Sequence, residues 1–129
     1  TLMFQKEVAE RIVAKPGSKN YGRLSILTNW LTQSSKLFDI PSKAFIPRPK
    51  VNSSVIQLKP RSKPLYDVSF ASLEKLTQLA FSQRRKMIKT SLKNINGKNI
   101  LEELSISPSL RPENLSIIEF CKIAKKSFD

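Results

Sequence analysis

The chain has 129 residues, with 23 Lys and Arg against 10 Asp and Glu, a single cysteine and no histidine. A formal charge of +13 repels itself in a compact molecule, and a polyanionic partner relieves that repulsion; nucleic acid is the expected partner and an acidic membrane the rival. Histidine acid–base catalysis, Cys/His metal sites and an internal disulfide are excluded for this chain, and the lone Cys121 fits a reducing, cytoplasmic compartment. No apolar run is long enough to span a bilayer, so no membrane partner is expected.

In chain order, residues 1–5 read as a short apolar strand. Residues 6–15 read as a helix with Val8, Ala9, Ile12 and Val13 on one face, stopped by Lys15-Pro-Gly-Ser18. A second helix is predicted over 22–33, with Leu24, Leu27 and Leu31 in one row and Ile26 and Trp30 beside it. Arg23 is read as an ion-pair partner for Glu7 or Glu10. Residues 36–40 and 52–59 read as strands, closed by Pro41 and Pro60.

Pro60-Arg-Ser-Lys-Pro64 has the polar, proline-rich composition of a linker. Beyond it the pattern turns helical. Ser69 is a candidate N-cap for a helix over 70–94, whose apolar stripe is Leu73, Leu76, Ala80, Met87, Ile88 and Leu92. Asn96-Gly97 is its expected stop, with a short helix over 98–105 to follow. Ser107-Pro108 reads as a further cap. Ser116 and Glu119 form a capping box, and Leu115 and Phe120 a hydrophobic staple, which start the last helix at 117.

Two features carry candidate function. In Phe45-Ile-Pro-Arg-Pro-Lys-Val-Asn-Ser-Ser54 each proline fixes its own φ and biases the residue before it toward extended geometry. A stiff loop holding an aromatic suits stacking on a nucleobase, although an aromatic beside a tight turn is also a common core anchor. Lys6, Arg48 and Lys50 lie beside this loop or after the first strand, as phosphate contacts or plain solubilising charge. On the predicted 70–94 helix, Gln78, Ser82, Arg85, Lys89 and Lys93 recur every three or four residues, flanked by Arg84 and Lys86. Like charges along one helix repel unless an anion offsets them, and a phosphate backbone is the natural one. A solvated basic face is the simpler alternative.

Taken with Met3-Phe-Gln-Lys-Glu-Val-Ala-Glu-Arg-Ile12, Tyr21-Gly-Arg-Leu-Ser25, Phe81-Ser-Gln-Arg-Arg-Lys-Met-Ile-Lys89 and Leu110-Arg-Pro-Glu-Asn-Leu-Ser116, the Phe45 run resembles the small-subunit rRNA adenine dimethyltransferases (KsgA family) over nearly the whole chain. The resemblance implies an α/β remnant, residues 1–62, made of the last strands and helices of a Rossmann-like methyltransferase sheet. A small all-α domain over 63–129 would follow. It implies transfer of methyl groups from S-adenosylmethionine to N6 of two adjacent adenosines, with small-subunit rRNA or the pre-ribosomal small subunit as partner. Phe45 would stack on the target adenine, and Lys6, Arg48, Lys50, Arg84, Arg85, Lys86, Lys89 and Lys93 would contact RNA.

Two family parts are missing: a glycine-rich turn after a strand, since the only glycines are Gly17, Gly22 and Gly97, and the Asn-Leu-Pro-Tyr type motif. The expectation is therefore a C-terminal part of a longer enzyme, without its S-adenosylmethionine site and inactive alone. Its strand 1–5 would be stripped of a neighbour and open to self-association. A stand-alone basic RNA-binding module is the alternative. Within the enzyme class the rival is the large-subunit rRNA methylase group that confers antibiotic resistance, against which the Gln-Arg-Arg-Lys run and the Leu110–Ser116 segment both argue.

Overall fold

The computed structural model describes residues 1–129. β1 (Leu2–Gln5) runs directly into α1 (Lys6–Val13), and α2 (Arg23–Leu31) runs directly into β2 (Thr32–Ile40). After a loop comes β3 (Ser53–Pro60), then α3 (Phe70–Phe81), the single turn α4 (Ile88–Ser91), α5 (Gly97–Glu103) and α6 (Ile117–Phe128). The three strands form one antiparallel sheet in the order β1-β3-β2. β3 is therefore the central strand and β1 an edge. Pairing of Thr32 with Pro60 and Gln33 with Lys59 starts β2 four residues earlier than its composition predicts, because the partner strand supplies ladder bonds right up to the helix end.

Two apolar clusters hold the chain together. The smaller is Ala9 and Ile12 of α1 against Ile56 of β3. The larger gathers sixteen buried residues, including Leu73, Leu76, Ala80, Ile88, Leu92, Leu101, Phe120 and Ile123. It also takes Tyr21, Ile26 and Trp30, which lie far upstream of the linker. The Tyr21 hydroxyl donates to the Leu115 carbonyl at 2.7 Å, and Trp30 Nε1 donates to the Tyr66 carbonyl at 2.9 Å. Residues 61–65 are tied to α2: Arg61 N–H donates to the Leu31 carbonyl and Leu65 N–H to that of Trp30. The helical core thus reaches back across the linker and closes over α2.

Several sequence expectations need correction. Residues 70–94 are not one helix. α3 ends at Phe81, and the first N–H groups of α4 are satisfied from elsewhere, Ile88 by the Leu110 carbonyl at 2.6 Å and Lys89 by that of Pro108 at 3.2 Å. Once these tertiary bonds exist, the helical ladder has no advantage over the break. Met87, placed in the apolar stripe by helical spacing, is 43% exposed. Gly97 is not the helix stop: Asn96 holds the left-handed position at φ 59°, and Gly97 begins α5. Its missing Cβ is needed for packing, since one built there would collide with Leu92 Cβ and lie 2.7 Å from the Leu92 carbonyl oxygen. Proline leads a helical turn at Pro112, not at Pro108. The capping box is as read: Ser116 Oγ accepts from Glu119 N–H, and Glu119 Oε1 accepts from Ser116 N–H. Leu115 and Phe120 of the staple are both fully buried.

Candidate nucleic-acid interface

The loop between β2 and β3 is fixed at its base. Asn52 Oδ1 accepts from Ser42 N–H at 2.9 Å, and the Asn52 carbonyl accepts from Lys6 N–H at 2.9 Å. A 3-10 turn, Ser42–Ala44, leads to Phe45 in extended backbone geometry, with φ −109° and ψ 151°. Phe45 is half-buried, while Arg48 and Lys50 are exposed. Lys50 and Asn52 line a shallow depression with Lys6, Glu7 and Glu10. Below the loop, Asp39 accepts from Ser54 Oγ at 2.5 Å and pairs with Lys36 at 3.3 Å and Lys6 at 3.7 Å. The Ser54 hydroxyl first, and the two ammonium groups after it, hold the Asp39 carboxyl below its ordinary range against a smaller opposing effect of desolvation. Lys6 therefore stands at the foot of the Phe45 loop as a paired cation.

The break after Phe81 scatters the basic row. Arg84 Nη2 donates to the carbonyls of Lys19 at 2.5 Å and Ser18 at 3.3 Å, and it pairs with Glu113 at 3.5 Å. Its guanidinium also lies 5.7 Å from the Phe81 ring centroid. Arg84 is thus a fastener between the 14–22 loop and the turn after α3. Arg85, Lys86, Lys89 and Lys93 are exposed and enter no ion pair. Arg85 lies in the turn, Lys89 on α4 and Lys93 in the 3-10 turn behind it, so they do not form one helical stripe with Gln78 and Ser82.

Sequence reasoning passed over Arg11, Lys19, Arg23, Asp39 and Asn52 as site residues. Arg23 pairs with neither Glu7 nor Glu10, because Arg11 takes Glu7 at 2.7 Å across one helical turn. Instead Arg23 joins Arg11, Lys19 and Arg84 around a depression between α1, α2 and the end of α3. Asp39 and Asn52, which organise the base of the Phe45 loop, carried no local sequence signal. Cys121 is buried, and burial pushes its thiol up to about 12, away from nucleophilic use. No group of three His, Cys, Asp or Glu side chains is placed to hold a metal ion. No helix is long and apolar enough to cross a membrane.

A nucleoside cofactor such as S-adenosylmethionine needs a backbone cradle at a strand end, and the glycines here do not provide one. Gly17 lies in the turn after α1, Gly22 caps α2 and Gly97 opens α5. None of the three follows a strand. What the chain offers is an aromatic on a tied loop with exposed cations beside it, and dispersed basic side chains after α3.

The family model for ribosomal RNA adenine dimethylase matches residues 1–128. A ribosomal RNA small subunit methyltransferase A from Rhizobium etli (strain CIAT 652) is 52% identical over 124 residues, which are 96% of this chain and 45% of the relative. One of the same name from Brucella abortus biovar 1 (strain 9-941) is also 52% identical over 124 residues, with the same coverage. The chain spans about half the length of the curated relatives it matches. Among solved structures, a dimethyladenosine transferase from Plasmodium falciparum superposes with a TM-score of 0.80 at 29% identity, covering 95% of this chain and 54% of that one. The 23S rRNA methyltransferase ErmE, at 19% identity and a TM-score of 0.63, covers 98% of this chain and 53% of its own and shares the fold.

Proposed function

The chain belongs to the ribosomal RNA adenine dimethylase family, and on that premise we propose that it is the C-terminal part of an enzyme that dimethylates N6 of two adjacent adenosines in small-subunit rRNA. In this reading residues 1–62 complete a methyltransferase sheet, and residues 63–129 form a helical domain that grips the RNA of the pre-ribosomal small subunit in the cytoplasm. S-adenosylmethionine is the methyl donor that the family implies. With no glycine-bearing turn after a strand to support that reading's cofactor here, its seat is assigned to the rest of the enzyme and the chain is expected to be inactive alone. β1 has one free edge, with Leu2 51% and Met3 54% exposed, and by this reading the isolated chain self-associates there.

The observation that carries the proposal is Phe45, half-buried on a loop fixed through Asn52 at both ends. An aromatic so held gives an extruded adenine a surface to stack on with little freedom left to lose. Orientation is the main demand, because N6 methylation has no obvious need for a side-chain base in this chain. In this reading Arg48 and Lys50, exposed on the same loop, take phosphates flanking the extruded base, with Lys6 at the foot of the loop, and Arg85, Lys86, Lys89 and Lys93 add sequence-independent affinity.

The test uses the full-length enzyme. Loss of a base–aromatic stack costs about 1–3 kcal/mol, so Phe45→Ala is expected to slow methyl incorporation into small-subunit particles by roughly 5- to 150-fold. RNA affinity should change far less, because stacking is one contact among many. Methylation at the parent rate would make Phe45 a core anchor and defeat the proposal.

A further inference from the structure

We infer that the depression between α1, α2 and the end of α3 is a seat for an RNA backbone phosphate, with Lys19, Arg23 and the free face of Arg84 as its ligands. The inference rests on the RNA-binding reading above and adds a site to it. Arg11, Lys19, Asn20, Arg23, Phe81 and Arg84 line the depression, and no acid does. Glu7 and Glu113 offset only two of the four cations, pairing with Arg11 at 2.7 Å and with Arg84 at 3.5 Å. Lys19 and Arg23 are exposed and enter no ion pair or side-chain hydrogen bond within the fold. Four cations around one hollow repel one another, and that arrangement is relieved by an anion in their midst.

The hollow is built rather than incidental. Its walls are pinned by buried Ser25, whose Oγ donates to the Arg11 carbonyl at 2.5 Å and accepts from Gly22 N–H at 3.2 Å. Asn29 Nδ2 donates to the Ile12 carbonyl at 2.7 Å and so locks α2 against α1. Arg84 spends only Nη2 on the carbonyls of Ser18 and Lys19 and on Glu113. A guanidinium has five N–H donors, so the Nη1 and Nε hydrogens are left over. Nη1 stands beside Gly22, 3.6 Å from where a Cβ would be, on the wall of the hollow. A guanidinium held by backbone carbonyls on one side and open on the other has lost its rotamer freedom before the anion arrives, which favours binding. The size and charge suit one phosphate of a chain that continues along the basic surface. A free nucleotide would also want an aromatic face, and Phe81 is already engaged by Arg84 and by Phe120 at 5.6 Å.

The experiment titrates the whole chain with a fluorescent RNA hairpin of arbitrary sequence, by anisotropy, from about 50 to 200 mM salt. Lys19→Ala/Arg23→Ala strips two of the three ligands from that one phosphate. It is expected to weaken binding about tenfold and to flatten the slope of log affinity against log salt by up to about 0.9, the value of one phosphate contact. Arg23→Lys should retain the parent slope. Lys59→Ala/Lys63→Ala removes equal charge outside the depression and should move the slope by less than half as much. Equal effects from the two double variants would mean diffuse attraction and overturn the inference. Parent affinity and slope in Lys19→Ala/Arg23→Ala would overturn it while leaving the RNA reading intact. No RNA binding by the unaltered chain would overturn both.

Discussion

The sheet and the helical region are held in opposite ways. Around the sheet only Ala9, Ile12 and Ile56 are buried as apolar residues, while Leu2, Met3, Leu37 and Phe38 are exposed. The helical region has a sixteen-residue core that draws Tyr21, Ile26 and Trp30 across the linker. The sheet, however, carries the Phe45 loop, fixed by polar contacts through Asn52, Asp39 and Ser54. The difference teaches that the part proposed to meet the base is ordered by a few hydrogen bonds, and the part proposed to hold the RNA is ordered by burial. Since apolar burial supplies most of a fold's stability and single hydrogen bonds contribute about 1 kcal/mol each, the two regions should fail under different insults.

The largest expected effect is on the helical side. Gly97→Ala forces a Cβ into the side chain and backbone of Leu92, so α5 must move off the core. Overpacking of this kind costs about 1–3 kcal/mol, and the backbone contact places this case at the upper end. Denaturant unfolding should show the loss across the whole chain; an unchanged midpoint would mean that α5 is not part of the cooperative core.

Next comes the link between the regions. Tyr21→Phe keeps the ring in the core but leaves the Leu115 carbonyl without its buried donor. A loss of about 1–3 kcal/mol is expected, with α6 loosened at its N-terminus. Because burial, with Glu119 and Cys121, raises the Tyr21 hydroxyl pKa well above its ordinary value, the bond should persist into the alkaline range. A Tyr21→Phe variant as stable as the parent would sever the proposed bracing of α2 by the helical core.

The smallest effect concerns acid. Asp129 accepts from the Ser72 and Ser69 hydroxyls and from Ser69 N–H at the start of α3. These bonds, with a smaller contribution from Lys125, lower its pKa below the ordinary 3.8. The group thus adds stability while ionised. That contribution is fully present above the unfolded value and is lost as pH falls through the folded one. Thermal melts should fall on acidification below about pH 4, and Asp129→Asn should flatten that limb; an unaltered acid limb would remove Asp129 from the account.

Much of this was legible wherever the cause was local. The Ser116–Glu119 box and the Leu115–Phe120 staple are set by neighbours in sequence, and both stand where spacing puts them. The two strands flanking the proline loop were readable as well, although β2 begins four residues before its predicted start. What escaped was decided by distant partners. Nothing near Phe81 announces that Pro108 and Leu110 will supply carbonyls to α4, or that Ser18 and Lys19 will capture Arg84. Arg23 looked like half of an ion pair because its competitor Arg11 is nearer to Glu7 only once α1 is wound. For the candidate site, Phe45 was singled out through its prolines, and Asn52 and Asp39 were missed because a polar clamp has no periodicity to betray it.

Hydrogen exchange on the intact chain, at a concentration low enough to keep it monomeric, tests the contrast between the regions most directly. The account predicts the slowest amides in α3 and α6, with α2 close behind because its buried face belongs to the same core. It predicts the fastest exchange in β1, whose outer edge has no partner strand, and in loop 41–52, with β3 intermediate. Amides of β1 and β3 as slow as those of α6 in a clean monomer would contradict it, and would mean that the sheet is held by more than three buried side chains and a polar clamp.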